Sequence, residues 1–166
     1  MAKLLNRHLC YCQVTIIQSA SCGSLCSKRF VSQELGIYSV IGIIIVAHGG
    51  LSKEYIAAVE HVVGKQKGLI AISIEENHDR KKKEEEICSA ANSVDMGNGV
   101  IIVTDMFGGS PSNLSLLACK PKNRKILYGA NLPMLVKLAK SRHLEIGQAV
   151  DTALHAGRKY IASGDG

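Results

Sequence analysis

Two short stretches hold side chains that can do chemistry. Ile41–Ala47 is an almost wholly apolar run ending in His48-Gly49-Gly50, and Gly99–Thr104 runs into Asp105-Met106-Phe107-Gly108-Gly109-Ser110-Pro111. An Asp that accepts a hydrogen bond from one imidazole N–H fixes the tautomer and leaves the other ring nitrogen unprotonated and nucleophilic. Gly49 and Gly50 keep side chains away from such a ring. Gly108-Gly109-Ser110, opening onto a helix, offers backbone N–H groups and a hydroxyl to an anion. His48 and Asp105 are therefore the expected catalytic pair, with Gly49, Gly108, Gly109 and Ser110 as the phosphoryl-binding positions. The set describes a phosphohistidine site better than a hydrolase, because no Ser stands in a G-x-S-x-G turn and no Cys follows either run. Each part alone is ordinary: a His at a strand end is more often structural, and Gly-Gly-Ser-Pro is usually a turn.

What joins the parts is topology. From Val40 onward the chain alternates strand and helix. Runs at 41–47, 68–74, 99–104 and 125–128 read as strands, the first and third apolar enough for the middle of a parallel sheet. Between them, Tyr55, Ile56, Val59, Val62 and Val63 form one helical stripe closed by Gly64. Asp79 is placed to cap a helix carrying Ile87, Ala90, Ala91 and Val94. Ser110 reads as an N-cap with Pro111 at the first helical position, for a helix ending by Ala118 or Cys119. Asn131 caps another helix, with Pro133 near its start and Met134, Leu135 and Leu138 as core, and a last helix covers 146–161. The expected fold is a doubly wound, mostly parallel α/β sheet of order 2-1-3-4, with room for an extra edge strand and helices on both faces. Ligands of such sheets collect beyond the carboxyl ends of the strands where the order reverses. Strands one and three are neighbours there, which brings His48 beside Asp105. His8, His61, His78, His143 and His155 have no such partners and are read as background.

Composition narrows the function classes. Apolar residues make up 46% and charged residues 20%, which suits one folded domain, and no run of apolar residues is long enough to span a membrane. Aromatic residues are only 4% with no Trp, so base-stacking platforms are not expected. The net charge of +6 divides evenly between the first forty residues and all the rest. The longest basic run, Arg80–Lys83, meets Glu84–Glu86 at once. That is a solvated helix face with pairs such as Arg80/Glu84 and Lys81/Glu85, so nucleic acid is not expected as a partner. Cys10, Cys12, Cys22 and Cys26 match no common zinc spacing, and six cysteines in such a chain fit a reducing, cytoplasmic setting.

Residues 1–39 are basic, Ser- and Cys-rich and without regular periodicity, and they lack the cleavage site of a secretory signal. They are expected to be a poorly ordered extension outside a 40–163 domain. Because the regular pattern begins at Val40, the residue a GTG start codon would show in a conceptual translation, the extension is expected not to be made in the cell. Recovery of a peptide from residues 10–28 from native protein would refute that.

Three motifs in order carry a resemblance. Ile-Ile-Ile-Val-Ala-His48-Gly-Gly, Thr-Asp105-Met-Phe-Gly-Gly-Ser110-Pro-Ser-Asn113 and Gly129-Ala-Asn131-Leu-Pro133-Met-Leu-Val closely resemble the mannose/fructose-type enzyme IIA domain of the bacterial sugar phosphotransferase system. The resemblance covers about residues 40–163. It implies that His48 accepts a phosphoryl group from the phosphocarrier HPr, which enzyme I charges from phosphoenolpyruvate. It implies that Asp105 holds the imidazole and that Ser110 with the Gly108–Gly109 backbone holds the phosphoryl oxygens. No metal or cofactor is implied. Sugar-moving members commonly carry an enzyme IIB domain after a linker, and too few residues follow position 163 for one. A separate IIB and a permease are then the expected recipients, or else a purely regulatory phosphorelay. Phe107 stands where an aromatic, often Trp, occurs in sugar-transporting members, so Phe107 and Asn131 are the expected docking residues. Relatives are homodimers. The alternatives are a phosphoryl-donor subunit for a dihydroxyacetone kinase, whose members usually lack the full Gly-Gly-Ser-Pro-x-Asn turn, and a docking module that never turns over phosphate.

Overall fold

Four apolar runs become strands: β1 (Gly42–His48), β2 (Leu69–Ile74), β3 (Val100–Thr104) and β4 (Arg124–Tyr128). The computed structural model describes residues 39–164; the proposed extension, with Cys10, Cys12, Cys22 and Cys26, lies outside them except for Ser39. All the strands pair in parallel in the order β2-β1-β3-β4, and no fifth strand joins them among the described residues. The connecting helices are α1 (Leu51–Val63), α2 (Arg80–Val94), α3 (Ser110–Ser115), α4 (Leu132–Lys140) and α5 (Ile146–Lys159), with a single 3₁₀ turn at Leu117–Cys119. None of the described helices is long and apolar enough to cross a membrane.

The central strands explain why a β-branched run belongs there. Successive side chains of a strand point to opposite faces, and here each face has a helical layer. Ile43, Ile45, Ile101 and Val103 pack with Val59 of α1, Met134, Leu135 and Leu138 of α4, and Ala149 and Ala153 of α5. Ile44, Val46, Val100 and Ile102 pack with Ile87, Ala91 and Val94 of α2 and Leu114 of α3. Burying each such side chain stabilises the fold by about 1.5–3 kcal/mol relative to leaving it in water. Tyr55, Ile56 and Val63 of α1 join the first layer, but Val62 is 52% exposed. The apolar stripe is therefore narrower than the sequence suggests.

The helix ends follow local chemistry, with two shifts. Asp79 accepts from the Lys82 N–H at 3.1 Å and Asn131 from the Met134 N–H at 3.0 Å, both as expected. At α3 the N-cap is Gly109, one residue before the expected Ser110: the Gly109 carbonyl accepts the Asn113 N–H, so Ser110 is already helical. Its hydroxyl makes no capping bond, which leaves it available to the loop. The last helix stops at Lys159, short of the exposed Ile161. On α2, Arg80 pairs with Glu84 and Lys83 with Glu86 on the solvent side. Ser39, the first described residue, donates from its hydroxyl to the Met96 carbonyl.

Strand register sets up the site. The β1–β3 ladder ends at Val46 opposite Thr104, while the β1–β2 ladder continues to His48 opposite Ile74. His48 thus overhangs β3 but stays in line with β2. Its position beside Asp105, the next residue after β3, follows directly.

Candidate active site

The overhang leaves the His48 main-chain N–H without a strand partner on the β3 side, and a side chain takes that place. Asp105 Oδ2 accepts the His48 backbone N–H at 2.9 Å and contacts the His48 Nδ1 at 2.7 Å. Its Oδ1 accepts the Met106 N–H at 2.8 Å. An ionised carboxylate can only accept, so Nδ1 is the protonated ring nitrogen and Nε2 carries the lone pair. The His48 side chain is 48% exposed while that of Asp105 is 11% exposed. The carboxylate is covered and the imidazole is open.

The carboxylate is suited to that task. Burial works against its charge, but the His48 backbone N–H, the imidazole and the Met106 N–H outweigh it and hold Asp105 below the usual carboxylate range. A lowered folded-state pKa contributes stability that is present above the unfolded value, near 4, and is lost as pH falls through the lower folded value. The melting-temperature gap between wild type and Asp105→Asn is thus expected to narrow only below about pH 4. A gap that closes already between neutrality and about pH 5 would mean a protonated carboxyl.

The Gly108–Ser110 loop is shaped around the ring. Gly108 takes a positive φ of 80°, which favours glycine. Gly109 has ordinary extended dihedrals, but a Cβ there would lie 3.1 Å from His48 Cε1 and 3.2 Å from Met106 Cγ. Glycine at 109 is a matter of room. Asn113 explains the end of the motif: its side-chain amide donates to the Gly108 carbonyl and its backbone N–H to that of Gly109. Ser112 Oγ adds a third tie, to Gly109. Gly49 stands at the rim, with its own N–H engaged by the Ile74 carbonyl at 3.0 Å, so it contributes clearance and not a donor. Below Asp105, Tyr55 donates to the Ala130 carbonyl at 2.8 Å; burial and then the Asp105 charge raise its pKa.

Phe107 is 76% exposed and stands edge-on to Tyr128, centroids 5.0 Å apart. Asn131 is less open. Its Oδ1 caps α4 and its amide reaches the Gly129 and Gly157 carbonyls at 3.4 Å, so it holds the loop beside Phe107 in shape. His78, read as background from sequence, lines the same cavity as His48, together with Glu75 and Glu76. The signal that finds it is the strand order: the loop after strand two must leave the sheet next to the end of strand one. No group of three metal-ligating side chains occurs among the described residues.

Residues 42–154 match the family described as PTS system fructose IIA component. The PTS system mannose-specific EIIAB component of Escherichia coli K12 is 25% identical over 124 residues, 73% of this chain and 38% of that protein. The chain thus spans well under half of that relative's length. The sorbose-specific EIIA component of Lacticaseibacillus casei is 27% identical over 123 residues, covering 73% of this chain and 88% of the relative. Among solved structures, phosphotransferase system component EIIA from Streptococcus agalactiae superposes with a TM-score of 0.67 at 25% identity, over 74% of this chain and 96% of that one.

Proposed function

The chain belongs to the PTS fructose IIA component family, and on that premise we propose that it is a phosphoryl carrier of the sugar phosphotransferase system, loaded on His48 by HPr. The observation that carries the reading is the pair of bonds from His48 to one oxygen of Asp105, which assigns the lone pair of the neutral ring to Nε2 on a half-exposed side chain. Nε2 attacks the phosphorus of the donor phosphohistidine; the new N–P bond forms as the donor's N–P bond breaks, and the donor ring keeps the electron pair. No proton leaves His48, because the attacking nitrogen has none. The positive charge that develops on the ring is balanced by Asp105 through Nδ1–H. Gly108, Gly109 and Ser110 receive the phosphoryl oxygens, and positioning supplies most of the acceleration. Phe107 is the docking residue for the partner, with Asn131 shaping the rim beside it. The phosphoryl group passes on to an enzyme IIB or serves as a regulatory signal, and the carrier works in the cytoplasm as a homodimer.

The direct test is incubation with phosphoenolpyruvate, enzyme I and HPr. Label is expected on the chain only when all three are present. A chain left unlabelled while HPr itself is charged would end the reading. A finer test uses Gly109→Ala, whose backbone conformation tolerates alanine. The added methyl pushes on the imidazole and is expected to slow uptake toward the roughly 10²-fold that a 1 Å misplacement costs, with an unchanged melting temperature. Wild-type uptake would show that the close approach of Gly109 does not matter.

A further inference from the structure

The residues of the β2–α2 loop that line the His48 cavity have no part in the steps above. The cavity holds about 520 Å³ and is lined by His48, Gly49 and Ser110 together with Glu75, Glu76 and His78 from the β2–α2 loop. The register that pairs His48 with Ile74 brings that loop there. His78 Nδ1 lies 2.7 Å from the Glu75 carbonyl. A carbonyl only accepts, so Nδ1 is N–H and Nε2 is the ring nitrogen left over. Both imidazoles of the cavity are thus held by the same nitrogen and have the same nitrogen to offer.

We propose that His78 is a further phosphoryl-binding residue of this site, which when protonated donates from Nε2 to a phosphoryl oxygen carried on His48. The proposal rests on the carrier reading and adds a residue to it. Its logic is charge. Glu75 and Glu76 face the cavity, Asp105 stands behind the His48 ring, and Asp79 follows His78 with its carboxylate on the Lys82 N–H. A phosphoryl group adds roughly two negative charges to these. Among the described residues lining the cavity, His78 is the only group besides His48 that can become a cation. Arg80 is engaged with Glu84, and Lys82 stands 3.7 Å from Asp79. A phosphoryl group on His48 is therefore best met by His78 in its protonated form, with Nε2 as the donor.

Inorganic phosphate, titrated into the full chain while the imidazole resonances are followed by NMR, tests this without any partner protein. At pH 6 both the His48 and His78 rings are expected to shift. His78→Ala is expected to bind phosphate about tenfold more weakly, the scale of one charge-assisted hydrogen bond. The deficit should be smaller at pH 8 than at pH 6, because an Nε2 without its proton no longer donates. His78→Arg is expected to bind as wild type does at pH 6 and to keep that affinity at pH 8, which a merely structural role would not produce. Equal affinity of wild type and His78→Ala at pH 6, or a His78 ring that ignores phosphate, overturns the proposal. Labelling by HPr reads the other question separately. A chain that binds phosphate through both rings but takes no label loses the carrier reading alone, and one that labels normally with an indifferent His78 loses only this inference.

Discussion

His48→Ala is expected to take up no phosphate from HPr, while His61→Ala loads at the wild-type rate. His61 lies on the exposed side in the last turn of α1, with no carboxylate to set its tautomer. Loss of His48 removes the one lone pair that stands ready, and no neighbouring group replaces it. The bond type gives an independent check, since a phosphoramidate is labile in acid and stable in alkali. Label that survives in His48→Ala and resists acid would point to a hydroxyl such as Ser110 and would remove the histidine from the reaction. The effect is all or none, which makes it the sharpest test of the site.

Asp105→Asn is expected to slow uptake by about 10³-fold or more while the fold persists, by the tautomer logic known for His–Asp pairs. Asp105 receives three N–H groups on two oxygens, two of them from His48 on Oδ2. An asparagine has a single oxygen. Turned toward His48, it leaves its NH₂ against the Met106 N–H. Turned toward Met106, it presents NH₂ to the ring, moves the ring proton to Nε2 and blocks the nucleophile. One donor loses its acceptor in either pose, which costs about 1–3 kcal/mol of stability as well. Rapid-quench measurement of transfer, with nitrogen NMR of the ring to read the tautomer, checks both parts. An unchanged rate would exclude Asp105 from the mechanism.

Much of this site is legible in sequence because parallel sheets leave few choices. Ile43–Val46 and Val100–Val103 are apolar on both faces, which marks them as central, and central neighbours must bring His48 and Asp105 to one edge. The caps at Asp79 and Asn131 are readable because a single side chain decides each. Ser110 and Gly109 compete for one cap position, and glycine holds it because its carbonyl, not a side chain, starts the helix. Val62 looks buried on a helical wheel, but only the packed layer determines how wide the covered stripe is. His78 has no periodic pattern around it and comes into view only once the register of β1 against β2 is known.

The half-open ring has a kinetic meaning. On the proposed carrier reading, a ring that another protein's imidazole can reach from outside is one that solvent can reach too, so the charged form is expected to lose its phosphoryl group slowly to water. Its loaded fraction then reports the ratio of two rates, supply from upstream against slow spontaneous discharge. Left without a donor, such a carrier is expected to forget its charge on its own clock.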